Sequence, residues 1–226
     1  MSLNSANIPS SGGMDIEPMQ PGTYPARVVG MVDLGLQAQR PYQGQDKPPV
    51  NKIAITYEFV DEFLKDEDGN DIEDKPRWLS EDLPLYSVSQ EKANSTKRYV
   101  ALDPKGVHKG DFSKLVDTPC LVTVVHNENK KVPGKVYENI GGITPMREKD
   151  AEKCAPLVNG VLVFDMDTPD LEMWSRIPKW VQKKIQEGLE YEGGKLYGML
   201  AGDGADKAPA DNGEEVDQLD GDESPY

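Results

Sequence analysis

Apolar residues fall at every second position in two stretches early in the chain. In "TYPARVVGMVDLG" Tyr24, Ala26, Val28, Gly30 and Val32 share one side and Arg27 the other, which predicts a strand over Thr23–Leu34 with a bend or bulge at Gly30. In "KIAITYEFV" Ile53, Ile55, Tyr57 and Phe59 face a core while Lys52, Thr56 and Glu58 face out, giving a second strand. "KDEDGND" is a turn, because Asp68-Gly69 and Asn70 supply the positive φ that hairpins use. Arg77–Leu85 then returns as a third strand. "SVSQEKANSTKRYVALDP" changes character: Ser87 and Gln90 fit a capping box, helix formers follow, and Asp103-Pro104 ends the helix. "TPCLVTVVHNE" and "KVYENIGGITPM" are the fourth and fifth strands, joined by the basic turn "NKKVPGK".

Five strands with a helix between the third and fourth follow the order of an OB-fold barrel. An immunoglobulin-like sandwich would need more short strands and no central helix. Beyond the barrel, "NGVLVFDMD" reads as a further strand. "DLEMWSRIPKWVQKKIQEGLEY" reads as a helix pair broken before Pro178, with Asp170 as N-cap and Trp180, Val181, Ile185 and Leu189 as its apolar stripe. The expected organisation is a flexible arm (1–21), an OB-fold domain (22–147), a strand and helix extension (148–200) and a disordered acidic tail (201–226).

Charge sharpens this picture. The net charge of −15 is unfavourable for nucleic acid on its face. From Asp203 onward, however, nine acids face Lys207 alone, and Asp61–Asp82 holds ten acids against three cations, so these two blocks carry the whole excess. Outside the second block, residues 20–147 hold fourteen cations and nine acids. The body is mildly basic, with its acids segregated.

Enzymatic motifs are absent: there is no G-x-S-x-G, P-loop, G-x-G-x-x-G or H-E-x-x-H. Cys120, Cys154, His108 and His126 lack the paired spacing of a zinc site. Asp165 and Asp167 alternate as Mg²⁺ ligands can, but acids ahead of a helix fit them better. We expect no enzyme activity, no cofactor and no metal. No apolar run approaches the roughly 20 residues that span a bilayer, and the N-terminus lacks a signal-peptide pattern. The expected location is therefore a reducing cytoplasm.

Aromatics interleaved with cations carry the positive signal, because single strands are bound by phosphate-tracking cations and base-stacking rings. Arg27 and Lys52 belong to strands one and two, Arg40, Tyr42 and Lys47 to the loop between them, and Trp78 to strand three. Lys97 and Arg98 lie at the helix end, and Lys130, Lys131, Lys135 and Tyr137 on the last hairpin. Tyr24, Tyr57, Phe59 and Trp78 also suit a barrel core, the reading that fits Tyr57 and Phe59. Tyr42 sits in a polar loop with no periodicity to bury it.

The ending "DESPY" resembles the tip of bacterial single-stranded-DNA-binding proteins, where acids precede Ile-Pro-Phe. Asp222, Glu223, Pro225 and Tyr226 match in type, whereas Ser224 stands for the Ile and Tyr226 for the Phe. "GTYPARVVGMVDLG", a polar loop and "KIAITYEFV" resemble the opening of bacteriophage single-stranded-DNA-binding proteins with an OB core. The resemblance implies sequence-independent DNA binding in phage replication, recombination or repair, inside the bacterial host cell. It also implies a tail that recruits replication or recombination proteins and competes with DNA. The alternatives are an acidic DNA mimic that inhibits a host protein, for which the acids are too segregated, and a β-barrel virion or assembly protein.

Overall fold

In the computed structural model, residues 17–128 and 136–203 are described, and the basic turn and nearly all of the expected disordered tail lie outside them. The chain is mainly β. Its strands are β1 (Gly22–Gln37), β2 (Val50–Lys65), β3 (Asp71–Pro84), β4 (Pro119–Glu128), β5 (Val136–Pro145) and β6 (Leu162–Phe164). Among the described residues they are joined by five short α-helices, α1 (Asn94–Leu102), α2 (Glu148–Ala151), α3 (Leu171–Arg176), α4 (Lys179–Gln186) and α5 (Lys195–Asp203), and a 3-10 turn at Phe112–Leu115. The strands form one sheet of order β3-β2-β1-β4-β5, these five antiparallel, with β6 pairing parallel to β1 at Gly30–Val32.

Strand β1 bends twice, at register shifts between Val28 and Gly30 and between Asp33 and Gly35. A side chain at Gly30 would come within 3.2 Å of Thr56 Cβ, and Gly35 has φ +70°, so each bend rests on a glycine. The bends let β1 serve two cores. Ala26, Val28 and Met31 join Ile53, Ile55, Tyr57, Phe59, Leu115, Val122 and Val124 in the first. Val32 and Leu34 join Phe164, Trp174, Ile177, Val181, Ile185 and Leu196 on the opposite face. A strand covered on both faces loses the alternation expected for it, and Val28–Val32 are all buried.

The first helix is shorter than the spacing predicts. It starts at Asn94 without a side-chain cap, while Ser87 and Gln90 close a turn of their own through the Gln90 N–H and the Ser87 carbonyl. Further on, Asp170 does cap α3, accepting from the Glu172 and Met173 amides, and Pro178 separates α3 from α4. In α4, Val181 and Ile185 are buried, but Trp180 and Leu189 of the expected stripe are exposed.

A closed barrel would need a ladder between β3 and β5, and among the described residues none joins them. Side chains span the seam instead. Arg98, 7% exposed, reaches from α1 to hold Glu81 of β3 through two hydrogen bonds of 2.7 and 2.9 Å and touches the Ile140 carbonyl of β5 at 3.5 Å. Glu81 also accepts from the Tyr57 hydroxyl. Burial and the Glu81 charge hold the Tyr57 phenol well above its ordinary value. Burial alone would lower Arg98, but its contacts with Glu81 outweigh that and raise it.

Nearer the open end, Arg77 of β3 pairs with Glu138 of β5 at 2.7 Å and donates to the Glu17 carbonyl at 2.6 Å. Met19 is buried beside them, its amide on the Glu138 carboxylate and its carbonyl on His126 Nε2. Residues 17–20, expected within the flexible arm, thus lie tied along the seam. Removing one partner of a buried ion pair strands the other charge, so Arg98→Ala should cost about 3–5 kcal/mol in chemical denaturation. Tyr42→Ala, in an exposed loop, should cost less than about 0.5 kcal/mol.

A candidate nucleic-acid interface at the seam

Where β3 and β5 part, an open cleft of about 520 Å³ lies between Pro18, Leu64, Pro76, Arg77, Trp78, Val136, Tyr137 and Glu138. Its position follows from the strands. Pro76 interrupts β3 pairing near Phe63, where the β2–β3 register shifts, and β5 begins at Val136, directly after the basic turn. Trp78 and Tyr137, two of the sequence-predicted residues, are brought together here. Trp78 is 48% exposed, unusual for so large an apolar ring. Its Nε1–H is tied to Glu58 Oε2 at 3.2 Å, so the edge of the ring is held while much of its surface stays open.

The β1–β2 loop carries a second aromatic site. Tyr42 is 55% exposed, and Lys47 Nζ stands 4.7 Å from its ring centre. Tyr42 and Gln45 exchange two backbone hydrogen bonds of 2.9 and 3.0 Å around Gln43 and Gly44, both with positive φ, so the ring stands on a tight turn. Arg40 is exposed in the same loop. Along β2, Val50 at the loop's end lies eight residues from Glu58, the register partner of Trp78, a span of about 26 Å. Lys52 lies between the two sites, half-buried, opposite Gly35 and Pro84. Lys97 is exposed on α1, apart from both.

Two predicted cations point inward instead. Arg98 closes the seam with Glu81. Arg27 donates to the carbonyls of Ala155 at 2.8 Å, Cys154 at 3.0 Å and Asp117 at 2.7 Å, and to the Asp117 carboxylate at 3.1 Å. Alternation alone could not reveal this, because the chain that covers Arg27 comes from residues 154–155, far away in sequence. Lys130, Lys131, Lys135, Asp222, Glu223, Pro225 and Tyr226 lie outside the described residues. The cleft walls Pro18, Leu64, Pro76, Arg77 and Glu138 are not among the sequence-predicted residues, although "PRW" places a cation beside the predicted ring.

Burial pushes the Cys120 thiol up to about 12 and also raises Cys154, so neither is a thiolate near neutral pH. Among the described residues no three His, Cys, Asp or Glu side chains gather as a metal site, and no helix is long and apolar enough to cross a membrane. No protein-family model and no curated protein matches the chain.

The geometry separates exposed rings from structural cations. Trp78→Ala should leave the melting temperature nearly unchanged, whereas Arg27→Ala should lower stability by about 1.5–3 kcal/mol because its charged hydrogen bonds are removed. Thermal and urea melts of the two variants check both.

Proposed function

We propose that the chain binds single-stranded DNA without sequence preference, as a bacteriophage-type binding protein acting in DNA replication, recombination or repair inside a bacterial cell. The observation that carries this reading is that Trp78 and Tyr137 line one open cleft, with Lys130, Lys131 and Lys135 shortly before Tyr137 in sequence. The strand order β3-β2-β1-β4-β5, with a helix between β3 and β4, supports reading the sheet as an OB-type barrel left partly open at the β3–β5 seam. In such folds the face of strands two and three and the loops after strands one and four hold oligonucleotides. Here those parts carry Trp78, the Tyr42 loop and the lysine turn.

Each base stacked on Trp78, Tyr137 or Tyr42 contributes about 1–3 kcal/mol, and the cations follow the phosphates. The acidic β2–β3 hairpin adjoins the cleft through Leu64, so the phosphates run along the β5 side, toward Lys130, Lys131 and Lys135. Arg40, Lys47 and Lys52 continue the basic track toward the first loop. Arg27 and Arg98 support the fold and are left out of the interface.

The acidic tail competes for the same cations. Tethered to the domain, it acts at an effective concentration that reaches millimolar for short linkers. Asp222, Glu223, Pro225 and Tyr226 offer replication or recombination proteins charge together with an aromatic hook.

Titration of oligo(dT) at low salt should quench tryptophan fluorescence to saturation, and affinity should fall as salt rises. Trp78→Ala should weaken binding by about 1–3 kcal/mol, and Lys130→Ala with Lys131→Ala should reduce the salt slope by about one for each phosphate no longer neutralised. No binding at any salt, or binding indifferent to salt, contradicts the proposal. Deletion of residues 204–226 should tighten binding more at low salt than at high salt, where screening has already weakened the tail. Tyr226→Ala should leave DNA affinity unchanged but lose replication proteins in a pull-down. Identical behaviour of full-length, deleted and Tyr226→Ala chains would reduce the tail to a solubiliser.

A further inference from the structure

Arg27, Glu58 and Trp78 are register partners across β1, β2 and β3, so their side chains share one face of the sheet. Arg27 and Glu58 carry opposite charges at directly opposed positions, yet each grips the same segment of chain crossing that face. Arg27 donates to the carbonyls of Cys154 and Ala155. Glu58 accepts from the amides of Val158 at 2.6 Å and Asn159 at 3.3 Å, and from Asn159 Nδ2 at 2.8 Å. A fourth donor, Trp78 Nε1–H, completes the shell of Glu58.

Glu58 is 1% exposed, and its four donors are all uncharged. Such a carboxylate is tolerated only when hydrogen bonds replace its water, and three of the four here come from the 154–159 segment. The indole of Trp78, half in solvent, does not need Glu58 to satisfy its N–H, since water would serve. What the contact adds is orientation: with the ring edge fixed to a carboxylate that is itself immobilised, the open face is held in one place before any ligand arrives.

We propose that Glu58 is a positioning residue for the nucleic-acid face: it orders the Trp78 ring for stacking and makes that order depend on docking of residues 154–159. The proposal rests on the single-strand-binding reading above. Glu58→Ala frees the ring and weakens oligo(dT) binding about three- to tenfold, the cost of ordering one side chain on binding. Glu58→Gln, whose side-chain oxygen can still accept from Nε1, stays within about twofold of wild type. Trp78→Phe keeps an aromatic face without the N–H, leaves the buried carboxylate its other donors, and loses affinity as Glu58→Ala does.

The deciding measurement is a double-mutant cycle. In a Trp78→Ala background, Glu58→Ala has no further effect on affinity if it acts through the ring, whereas an equal loss in both backgrounds marks a general structural defect and overturns the proposal. Should Glu58→Ala fail to fold, Trp78→Phe decides: unchanged affinity overturns the proposal. Hydrogen exchange of the Trp78 indole N–H in the free protein separates this claim from the functional reading. Slow exchange in wild type and Glu58→Gln with fast exchange in Glu58→Ala supports the positioning, and equal exchange in all three refutes it. Failure of every chain, wild type included, to bind oligo(dT) refutes the functional reading on its own.

Discussion

The sheet has five long strands and no backbone ladder among the described residues to join its two ends, so everything near the β3–β5 seam depends on how side chains close it. Arg98 and Glu81 close the deep part, where burial makes an unpaired charge costly and the Tyr57 hydroxyl completes the network. Arg77, Glu138 and the backbone of residues 17–19 close the shallow part. Between these contacts and the start of β5 the edges stay apart, and the cleft with Trp78 and Tyr137 is the space left over. A continuous ladder would have filled that space with paired backbone.

The opposite face of the sheet is occupied. Residues from β6 to α5 cover β1 and β2 there with a second apolar core, and the 154–159 segment is pinned by Arg27 and Glu58. Lys184 of α4 reaches Asp82 of β3 on that side and stacks 4.9 Å from the Trp180 ring centre. Beside this covering, the seam edge and the β1–β2 loop present Trp78 and Tyr42 to solvent. The exposed surface around the seam is therefore shaped by what the C-terminal half covers as well as by the strands that form it.

The strands were legible because period two survives wherever one face meets a core and the other meets solvent. Ile53, Ile55, Tyr57 and Phe59 show this, and all are buried together. Legibility failed where distant chain covers the second face. Arg27 and Glu58 read as outward-facing charges, and only the return of residues 154–159 makes them internal. Arg98 read as a helix-end cation because its partner Glu81 lies on another element. The capping-box pattern at Ser87 and Gln90 closes a turn instead, since helix geometry begins only at Asn94. Tyr42 could be picked out as a candidate because it sits in a polar loop that leaves it uncovered, whereas Trp78 read equally well as a core ring and only its 48% exposure sets it apart. The walls of the cleft could not be picked out, because they meet only through the register of β3 and β5.

The central claim is that DNA lies across the β3–β5 seam, and photocrosslinking tests it most directly. Oligo(dT) carrying 5-iodouracil, irradiated in complex with the full chain and mapped by peptide sequencing, should join to Trp78 and Tyr137, with a second site at Tyr42. Crosslinks confined to Trp180 or Tyr197, exposed aromatics of the C-terminal helices, would place the DNA on those helices and away from the seam, and contradict the account.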